Sequence, residues 1–110
     1  MKQFKKVKKI HFVGIGGAGM IGIARVLLKK GYKITGSDVV DSDDLKKLRK
    51  EGAKVYIGHN KDNVKGANLL VVSSAINKNN PELLQANKKS ITTIPRAETV
   101  SYTHLRAHET

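Results

Sequence analysis

The sequence contains no cysteine and no tryptophan, and only two of its residues are proline. The absence of cysteine excludes a disulfide scaffold and a cysteine-ligated zinc site, and it fits a reducing, cytoplasmic setting. No uninterrupted run of about 18 apolar residues occurs, which excludes a membrane-spanning helix. The basic start, "MKQFKKVKK", leads straight into a predicted strand without the apolar segment and cleavage site of a secretory signal. We therefore expect one globular cytoplasmic domain without a membrane partner.

The sequence also has few acidic and few aromatic residues. Its 21 lysines and arginines outnumber nine aspartates and glutamates, which gives a formal charge of +12. A strongly basic chain can indicate a nucleic-acid partner. Here, however, the lysines are scattered, and no aromatic residues are interleaved with them to stack bases. We interpret the charge as solvated lysine faces that attract anionic ligands, and we expect no nucleic-acid partner.

Apolar strand patterns alternate with helical patterns along the chain. The predicted strands are "KIHFVGI", "YKITGSD", "AKVYIG", "NLLVVSSA" and "ITTIP". Helical spacing of apolar residues covers 17–30 and 41–51, a short turn or helix falls near 61–64, and a last helix opens at Asn80 and Pro81. The unbroken apolar run Leu69 to Val72 is typical of a parallel strand buried on both faces. This alternation predicts an α/β fold with a Rossmann-like, doubly wound, five-stranded parallel sheet.

The glycine-rich segment "GIGGAGM" joins the first strand to the first helix. Gly14, Gly16 and Gly19 fit the pattern G-x-G-x-x-G, in which glycines allow a tight turn and close approach of a phosphate to the backbone. The amides from Gly16 to Met20 are expected to be free donors at the positive end of a helix. Asp38, nineteen residues after Gly19, ends the second strand, where an acid can bind ribose hydroxyls. The segment predicts a nucleotide-diphosphate site; the alternative is a tight turn followed by a helix-capping aspartate.

Several motifs in fixed order carry a resemblance to a known family. "HFVGIGGAGM", "GSD", "GAKVYIGH", "VVSSAI", "NNPE" and "IPRAE" resemble the N-terminal domain of the bacterial Mur ligases, from about Lys9 to Glu98. The resemblance implies that residues 1–98 form one domain that binds UDP-N-acetylmuramic acid, a cytoplasmic precursor of peptidoglycan in cell-wall biogenesis. The runner-up is an NAD(P)- or FAD-binding Rossmann domain of an oxidoreductase or regulatory module. "SSAI" and "IPRAE" discriminate, because a dinucleotide fingerprint does not require them.

The resemblance also implies a set of substrate-binding residues on the glycine loop and at the strand ends. The residues beneath the diphosphate are Gly14, Gly16, Gly17, Ala18, Gly19 and Met20. Ser37 and Asp38 lie beside the ribose and uracil, and His59 lies near the uridine. Ser73, Ser74 and Ala75 lie at the mouth of the cleft, and Arg96 is assigned to the sugar-phosphate end.

Each of the isolated polar residues has a plainer interpretation. His59 could mark the turn "GHN", and Arg96 could be an ordinary surface arginine. Ser73 and Ser74 could be strand-end hydroxyls that bond to their own backbone. For His11, on the first strand, packing in the core is favoured over contact with a ligand.

Features of a complete Mur ligase are missing from the 110 residues. The resemblance implies that a full ligase uses ATP and magnesium to activate the muramoyl carboxylate as an acyl phosphate, which L-alanine then attacks. That chemistry requires a P-loop ending in Gly-Lys-Ser/Thr, and the chain contains none. Central and C-terminal ligase domains are implied beyond "IPRAE". We therefore expect this chain alone to bind its substrate without a cofactor and to have no catalytic residue.

The final segment, "TVSYTHLRAHET", departs from the family pattern from about Thr99. We expect residues 99–110 to be disordered, and their sequence suggests a translated adapter or assembly scar. His104 and His108 are four residues apart, as metal-binding histidines on a helix can be, but no third ligand accompanies them. No metal site is expected.

Overall fold

A computed structural model describes residues 8–96 as five strands, three α-helices and one 3₁₀ helix. The strands are β1 (Lys9–Val13), β2 (Lys33–Asp38), β3 (Lys54–Ile57), β4 (Leu69–Val72) and β5 (Thr92–Pro95). The helices are α1 (Met20–Lys29), α2 (Asp43–Lys50), α3 (Pro81–Lys88) and the 3₁₀ helix Lys61–Val64. The predicted domain boundary at residue 98, the predicted disorder of 99–110, and His104 and His108 lie outside the described residues.

The five strands form one parallel sheet in the order β3-β2-β1-β4-β5. The chain moves outward from β1 to β3 on one side and then returns to place β4 on the other side of β1. This confirms the predicted Rossmann-like, doubly wound sheet. The strand order reverses between β1 and β4, where Val13 pairs with Val72 at the carboxyl ends. Ligands of doubly wound sheets bind outside the carboxyl ends of the strands at such a switch point.

The helix starts follow from local capping. The side chain of Ser42 accepts a hydrogen bond from the Leu45 amide and caps α2, while Asn80 caps α3 in the same way, ahead of Pro81. The helix α1 begins at Met20, three residues later than its apolar pattern predicts. Gly19 has a φ of 76°, a left-handed conformation that cannot continue a helix, so the glycine segment stays a loop.

Apolar side chains fill both faces of the sheet. On one face Phe12 and Val71 pack with α1 and α2, in a cluster that includes Met20, Leu45 and Leu48. On the other face Val13 and Leu70 pack against the 3₁₀ helix and α3, in a cluster with Val64 and Ala86. Burial on both faces explains why β4 is an unbroken apolar run. Among the helices formed by residues 8–96, none has the length and apolar character needed to cross a membrane.

Candidate ligand-binding cleft

The glycine loop, residues 14–19, is anchored on the carboxyl end of β2. The amides of Gly14 and Ile15 donate to the carbonyl oxygen of Ser37, at 2.9 and 3.0 Å. The next amide, that of Gly16, donates to the carboxylate Oδ2 of Asp38 at 2.8 Å. Three successive loop amides are therefore held by two residues at the end of one neighbouring strand.

The following amides close the loop on itself. Gly17 donates to the carbonyl of Gly14 at 2.9 Å, and Met20 donates to the carbonyl of Gly17 at 3.0 Å. Within residues 8–96, the amides of Ala18 and Gly19 have no hydrogen-bond acceptor. The prediction of five consecutive free amides is therefore wrong for three of them, because the loop uses those three to hold its own shape. The donors left for a ligand are two adjacent amides at the start of α1.

Close packing requires glycine at several loop positions. Gly14 has a φ of 80°, and a β-carbon there would lie 3.0 Å from the β-carbon of Ser73. A β-carbon at Gly17 would lie 2.8 Å from the Ser73 hydroxyl, and one at Gly16 would lie 2.9 Å from the Asp38 carboxylate. The loop is thus wedged between the ends of β2 and β4, where any side chain would push one of them away.

Arg96 lies at the α1 end of the loop. A β-carbon added at Gly19 would be 3.1 Å from the Arg96 guanidinium, which places that cation beside Gly19. The helix that follows has no acidic residue in its first turn, so its positive end is not neutralised from within. Met20 contributes only backbone here, because its side chain is fully buried in the core. The surroundings of Ala18 and Gly19 are therefore suited to an anion.

A cleft of about 440 Å³ opens over the loop at the carboxyl edge of the sheet. Seven of the predicted site residues line it, namely Gly14, Gly16, Gly17, Asp38, His59, Ser73 and Ala75. Val39, Ile76, Asn77 and Asn80 line it as well and were not predicted from the sequence. The other predicted residues do not line it: Ser37 is buried and Ser74 is exposed, while Ala18, Gly19, Met20 and Arg96 lie outside the cleft.

The serines at the end of β4 match the plainer interpretation in part. The Ser73 hydroxyl accepts a hydrogen bond from the Ala75 amide at 3.3 Å, as strand-end hydroxyls do. Its side chain also meets the glycine loop, as described above. Ser73 therefore shapes both the turn after β4 and the wall of the cleft.

Asp38 has a role that its position alone did not predict. Besides holding Gly16 through Oδ2, its Oδ1 atom accepts hydrogen bonds from the amides of Val39 and Val40, at 2.8 and 3.3 Å. A carboxylate has about four acceptor positions, so capacity remains for a ligand hydroxyl on the cleft side. The acid organises the glycine loop as well as lining the cleft.

A buried polar cluster lies below the cleft and was missed from the sequence. Glu82, in the first turn of α3, is fully buried. Its Oε1 accepts from His11 Nε2 and from the Ser37 hydroxyl, both at 2.7 Å. Its Oε2 accepts from the Asn60 amide at 3.0 Å and from the Asn63 side chain at 2.8 Å. Every side of the carboxylate meets a donor, so the charge is compensated within the fold.

The cluster sets the ionisation of Glu82. Burial by itself raises the pKa of this carboxyl, but hydrogen bonds from His11, Ser37 and Asn63 and attraction to His11 outweigh it and lower the pKa from 4.5 to about 2. The opposite nitrogen of His11 lies 2.7 Å from the Thr35 hydroxyl. His11 is fully buried, which confirms the prediction that it packs in the core. The motif "NNPE" held the available signal, since its glutamate follows a helix cap and faces inward.

His59 connects the buried cluster to the cleft. Its Nδ1 atom lies 2.9 Å from the Ser37 hydroxyl and 3.6 Å from Oε2 of Glu82. The side chain is 14% exposed and lines the cleft, so it is more than a turn residue.

A doubly wound parallel sheet with a glycine loop and cleft at its switch point defines the class of Rossmann-like α/β domains. Residues 9–106 match the family described as "Mur ligase family, catalytic domain". The chain belongs to the Mur ligase family. The match continues eight residues beyond Glu98, past the boundary that the motifs predict.

Curated and solved relatives agree with this membership. The chain is 55% identical over 93 residues to the UDP-N-acetylmuramate–L-alanine ligase of a Sulfurihydrogenibium species, which covers 84% of this chain and 20% of the relative. It is 48% identical over 94 residues to the Aquifex aeolicus enzyme of that name, covering 86% and 21%. The crystal structure of UDP-N-acetylmuramate-alanine ligase from Thermotoga maritima superposes with a TM-score of 0.84 at 32% identity, covering 89% of this chain and 23% of that one. The chain thus spans about one-fifth of the length of the curated relatives it matches.

Proposed function

We propose that this chain is the UDP-N-acetylmuramic acid-binding domain of a cytoplasmic UDP-N-acetylmuramate–L-alanine ligase in peptidoglycan synthesis. The observation that carries the proposal is the cleft at the β1/β4 switch point, which is lined by residues of the Mur-like motifs. The names of the relatives support the identity of the ligand. The domain comprises residues 1–98 in this proposal.

The diphosphate binds at the start of α1 in this proposal. The amides of Ala18 and Gly19 donate to its oxygens, and the Arg96 guanidinium lies close enough to add a positive charge. No side chain of the loop obstructs the approach, since the positions nearest the cleft are glycines. The anion therefore meets backbone donors, a helix end and one arginine together.

The uridine lies toward β2 and β3 in this proposal. Asp38 offers its remaining acceptor capacity to a ribose hydroxyl, and His59 lines the same part of the cleft. Ser37 contributes from beneath, because its hydroxyl is hydrogen-bonded to His59 and is itself buried. Ser73 and Ala75 form the wall at the end of β4, and Ser74 is expected to contribute least.

The residues of this chain do not fit the ATP and magnesium that the ligation step requires. The 110 residues contain no P-loop sequence, and residues 8–96 contain no group of three metal-ligating side chains. We propose that this part of the enzyme binds substrate only. Purified chain mixed with UDP-N-acetylmuramic acid, L-alanine, ATP and magnesium should release no phosphate above a chain-free control. Phosphate release that depends on L-alanine would contradict this assignment.

The diphosphate site is tested by nuclear magnetic resonance of the ¹⁵N-labelled chain. Titration with UDP should shift the amide signals of Ala18 and Gly19 most, and titration with uridine should leave them nearly unchanged, because uridine lacks the diphosphate. A second cavity, of about 460 Å³ and lined by Lys61, Lys65 and Lys89, provides the alternative anion site. Shifts that centre on these lysines would show attraction by charge and contradict the proposal.

A further inference from the structure

The hydroxyl of Ser37 has one hydrogen and two neighbours that compete for it. It lies 2.7 Å from Oε1 of Glu82 and 2.9 Å from Nδ1 of His59. A carboxylate can only accept, so the Ser37 hydrogen is donated to Glu82. The remaining lone pairs of the Ser37 oxygen can only accept, and the proton between Ser37 and His59 therefore belongs to Nδ1 of the histidine.

The orientation of the Ser37 hydroxyl follows from the role of Glu82, because the other partners of this carboxylate show that it acts as an acceptor. The Asn60 backbone amide is an obligate donor to Oε2. The Asn63 side chain donates one amide hydrogen to Oε2 and another to the Gly58 carbonyl, at 2.8 and 3.2 Å, which fixes its own orientation. Turning the Ser37 hydrogen toward His59 would leave two oxygen lone pairs facing each other at 2.7 Å in a fully buried site.

The same geometry determines which edge of His59 meets the cleft. Its Nδ1 edge faces the buried Ser37 and Glu82. The side chain nevertheless lines the cleft and is 14% exposed. The nitrogen left for a ligand is Nε2. When one ring nitrogen of a neutral histidine carries the proton, the other is an acceptor.

We propose that Glu82 and Ser37 are positioning residues that hold neutral His59 as its Nδ1–H tautomer, so that Nε2 faces the cleft as a hydrogen-bond acceptor. Such an acceptor selects a ligand hydroxyl or N–H, as a ribose or uracil ring supplies, and repels a phosphate oxygen. His59 then helps to fix the direction in which the nucleotide lies, with its nucleoside end here and its diphosphate at Ala18 and Gly19. The inference that Nε2 of His59 accepts a hydrogen bond from the ligand rests on the proposed function, whereas the assignment of the His59 tautomer does not.

The tautomer can be read in the ligand-free chain. Long-range ¹H–¹⁵N spectra of the full chain at about pH 8 distinguish a protonated ring nitrogen from an unprotonated one. For wild-type His59 we expect a protonated Nδ1 and an unprotonated Nε2. The reverse pattern, or a mixture of the two, would overturn the inference.

Substitution Glu82→Gln supplies a sharper test. The carbonyl of the introduced glutamine should face the Asn60 and Asn63 donors, so its NH₂ group should face Ser37 and His11. Ser37 then accepts from this amide, its own hydrogen turns to His59, and His59 converts to the Nε2–H tautomer. A merely structural role for Glu82 predicts a less stable protein with the His59 tautomer unchanged, and that result would overturn the inference.

A matched pair of variants on β2 covers the case in which Glu82→Gln fails to fold. Ser37→Ala removes the hydroxyl bonded to His59, whereas Thr35→Val removes another buried hydroxyl of the same cluster, whose one hydrogen-bond partner within residues 8–96 is His11. With UDP as the probe, we expect Ser37→Ala to weaken binding about tenfold and Thr35→Val to change it less than about twofold. Equal losses would overturn the positioning role. A wild-type chain that shows the expected tautomer yet binds no UDP would contradict the proposed function and the hydrogen bond from the ligand to Nε2, while supporting the tautomer.

Discussion

The carboxylate of Asp38 lies 2.8 Å from the backbone nitrogen of Gly16 and accepts its hydrogen bond. An acid at the end of the second strand of a doubly wound sheet is ordinarily considered for its contact with a ribose. In this protein the carboxylate supports the glycine loop, and the proposed contact with a ribose would therefore be coupled to the shape of that loop. A ligand that hydrogen-bonds to Asp38 also contacts the residue that fixes the position of the diphosphate loop.

The substitution Asp38→Asn tests this coupling. Gly16 bonds to one oxygen of the Asp38 carboxylate and the following amides bond to the other, and asparagine replaces one of these oxygens by an NH₂ group that cannot accept. We expect UDP binding to weaken by about 1–3 kcal/mol, the range for a hydrogen bond that involves a charged group. Isothermal titration calorimetry measures the change. Asp41→Asn is the control, since Asp41 pairs with Arg49 and is not part of the cleft lining; equal losses in the two variants would contradict the assignment.

Two glycine substitutions separate loop geometry from general stability. Gly16→Val places a side chain against the Asp38 carboxylate, so it should displace the glycine loop and abolish UDP binding while the far-ultraviolet circular dichroism stays unchanged. Gly22, in α1, has no atom within 4 Å of an added β-carbon. Gly22→Ala should therefore stabilise the domain by about 0.5–1 kcal/mol and leave binding intact. Retained UDP binding in the Gly16 variant would place the ligand elsewhere.

The low pKa of Glu82 makes the free energy of unfolding depend on pH. Because the folded pKa is about 2 and the ordinary value is 4.5, the charged cluster stabilises the protein above the ordinary value, and this stabilisation is lost as the pH falls toward 2. The difference corresponds to about 3 kcal/mol. In urea unfolding, the gap in unfolding free energy between wild type and Glu82→Gln should shrink by about this amount from about pH 5 to about pH 2. Subtracting the variant removes the contributions of other carboxylates, and a constant gap would show that Glu82 carries no charge in the fold.

Removal of residues 99–110 tests the proposed domain boundary. If residues 1–98 form the complete domain, the truncated chain should melt within about two degrees of the full chain, because the lost segment contributes no packing. Differential scanning fluorimetry on the two chains gives the comparison. A fall of several degrees would mean that the last twelve residues contribute to the fold, in line with a family match that runs to residue 106.

The fold was predictable because its signals are local and repeated. The apolar run at Leu69–Val72, the Asn80–Pro81 cap and the glycines between the first strand and helix each specify an element within a few residues. The start of α1 was misplaced at Gly17 although its first apolar position is Met20, and the left-handed backbone at Gly19 explains why the helix begins only there.

The sequence predicted many of the residues that line the cleft but not the hydrogen bonds that organise them. Ala18 and Gly19 could not be separated from the neighbouring amides, because the acceptors of those amides depend on the folded loop: the carbonyls of Gly14 and Gly17 within it, and the Asp38 carboxylate on β2. The cluster around Glu82 joins segments up to 71 residues apart, and no short motif encodes such a pairing. Long-range hydrogen bonds among buried polar groups are the part of a site that sequence patterns convey least.

If the proposed function is right, the cleft recognises a UDP-sugar. Calorimetric titration of the purified chain with UDP-N-acetylmuramic acid and, in parallel, with NAD tests it most directly, since both ligands carry a diphosphate and a ribose. We expect measurable binding of UDP-N-acetylmuramic acid, at least about tenfold tighter than that of NAD. Equal affinity for the two ligands, or tighter binding of NAD, would contradict it and favour a dinucleotide-binding domain.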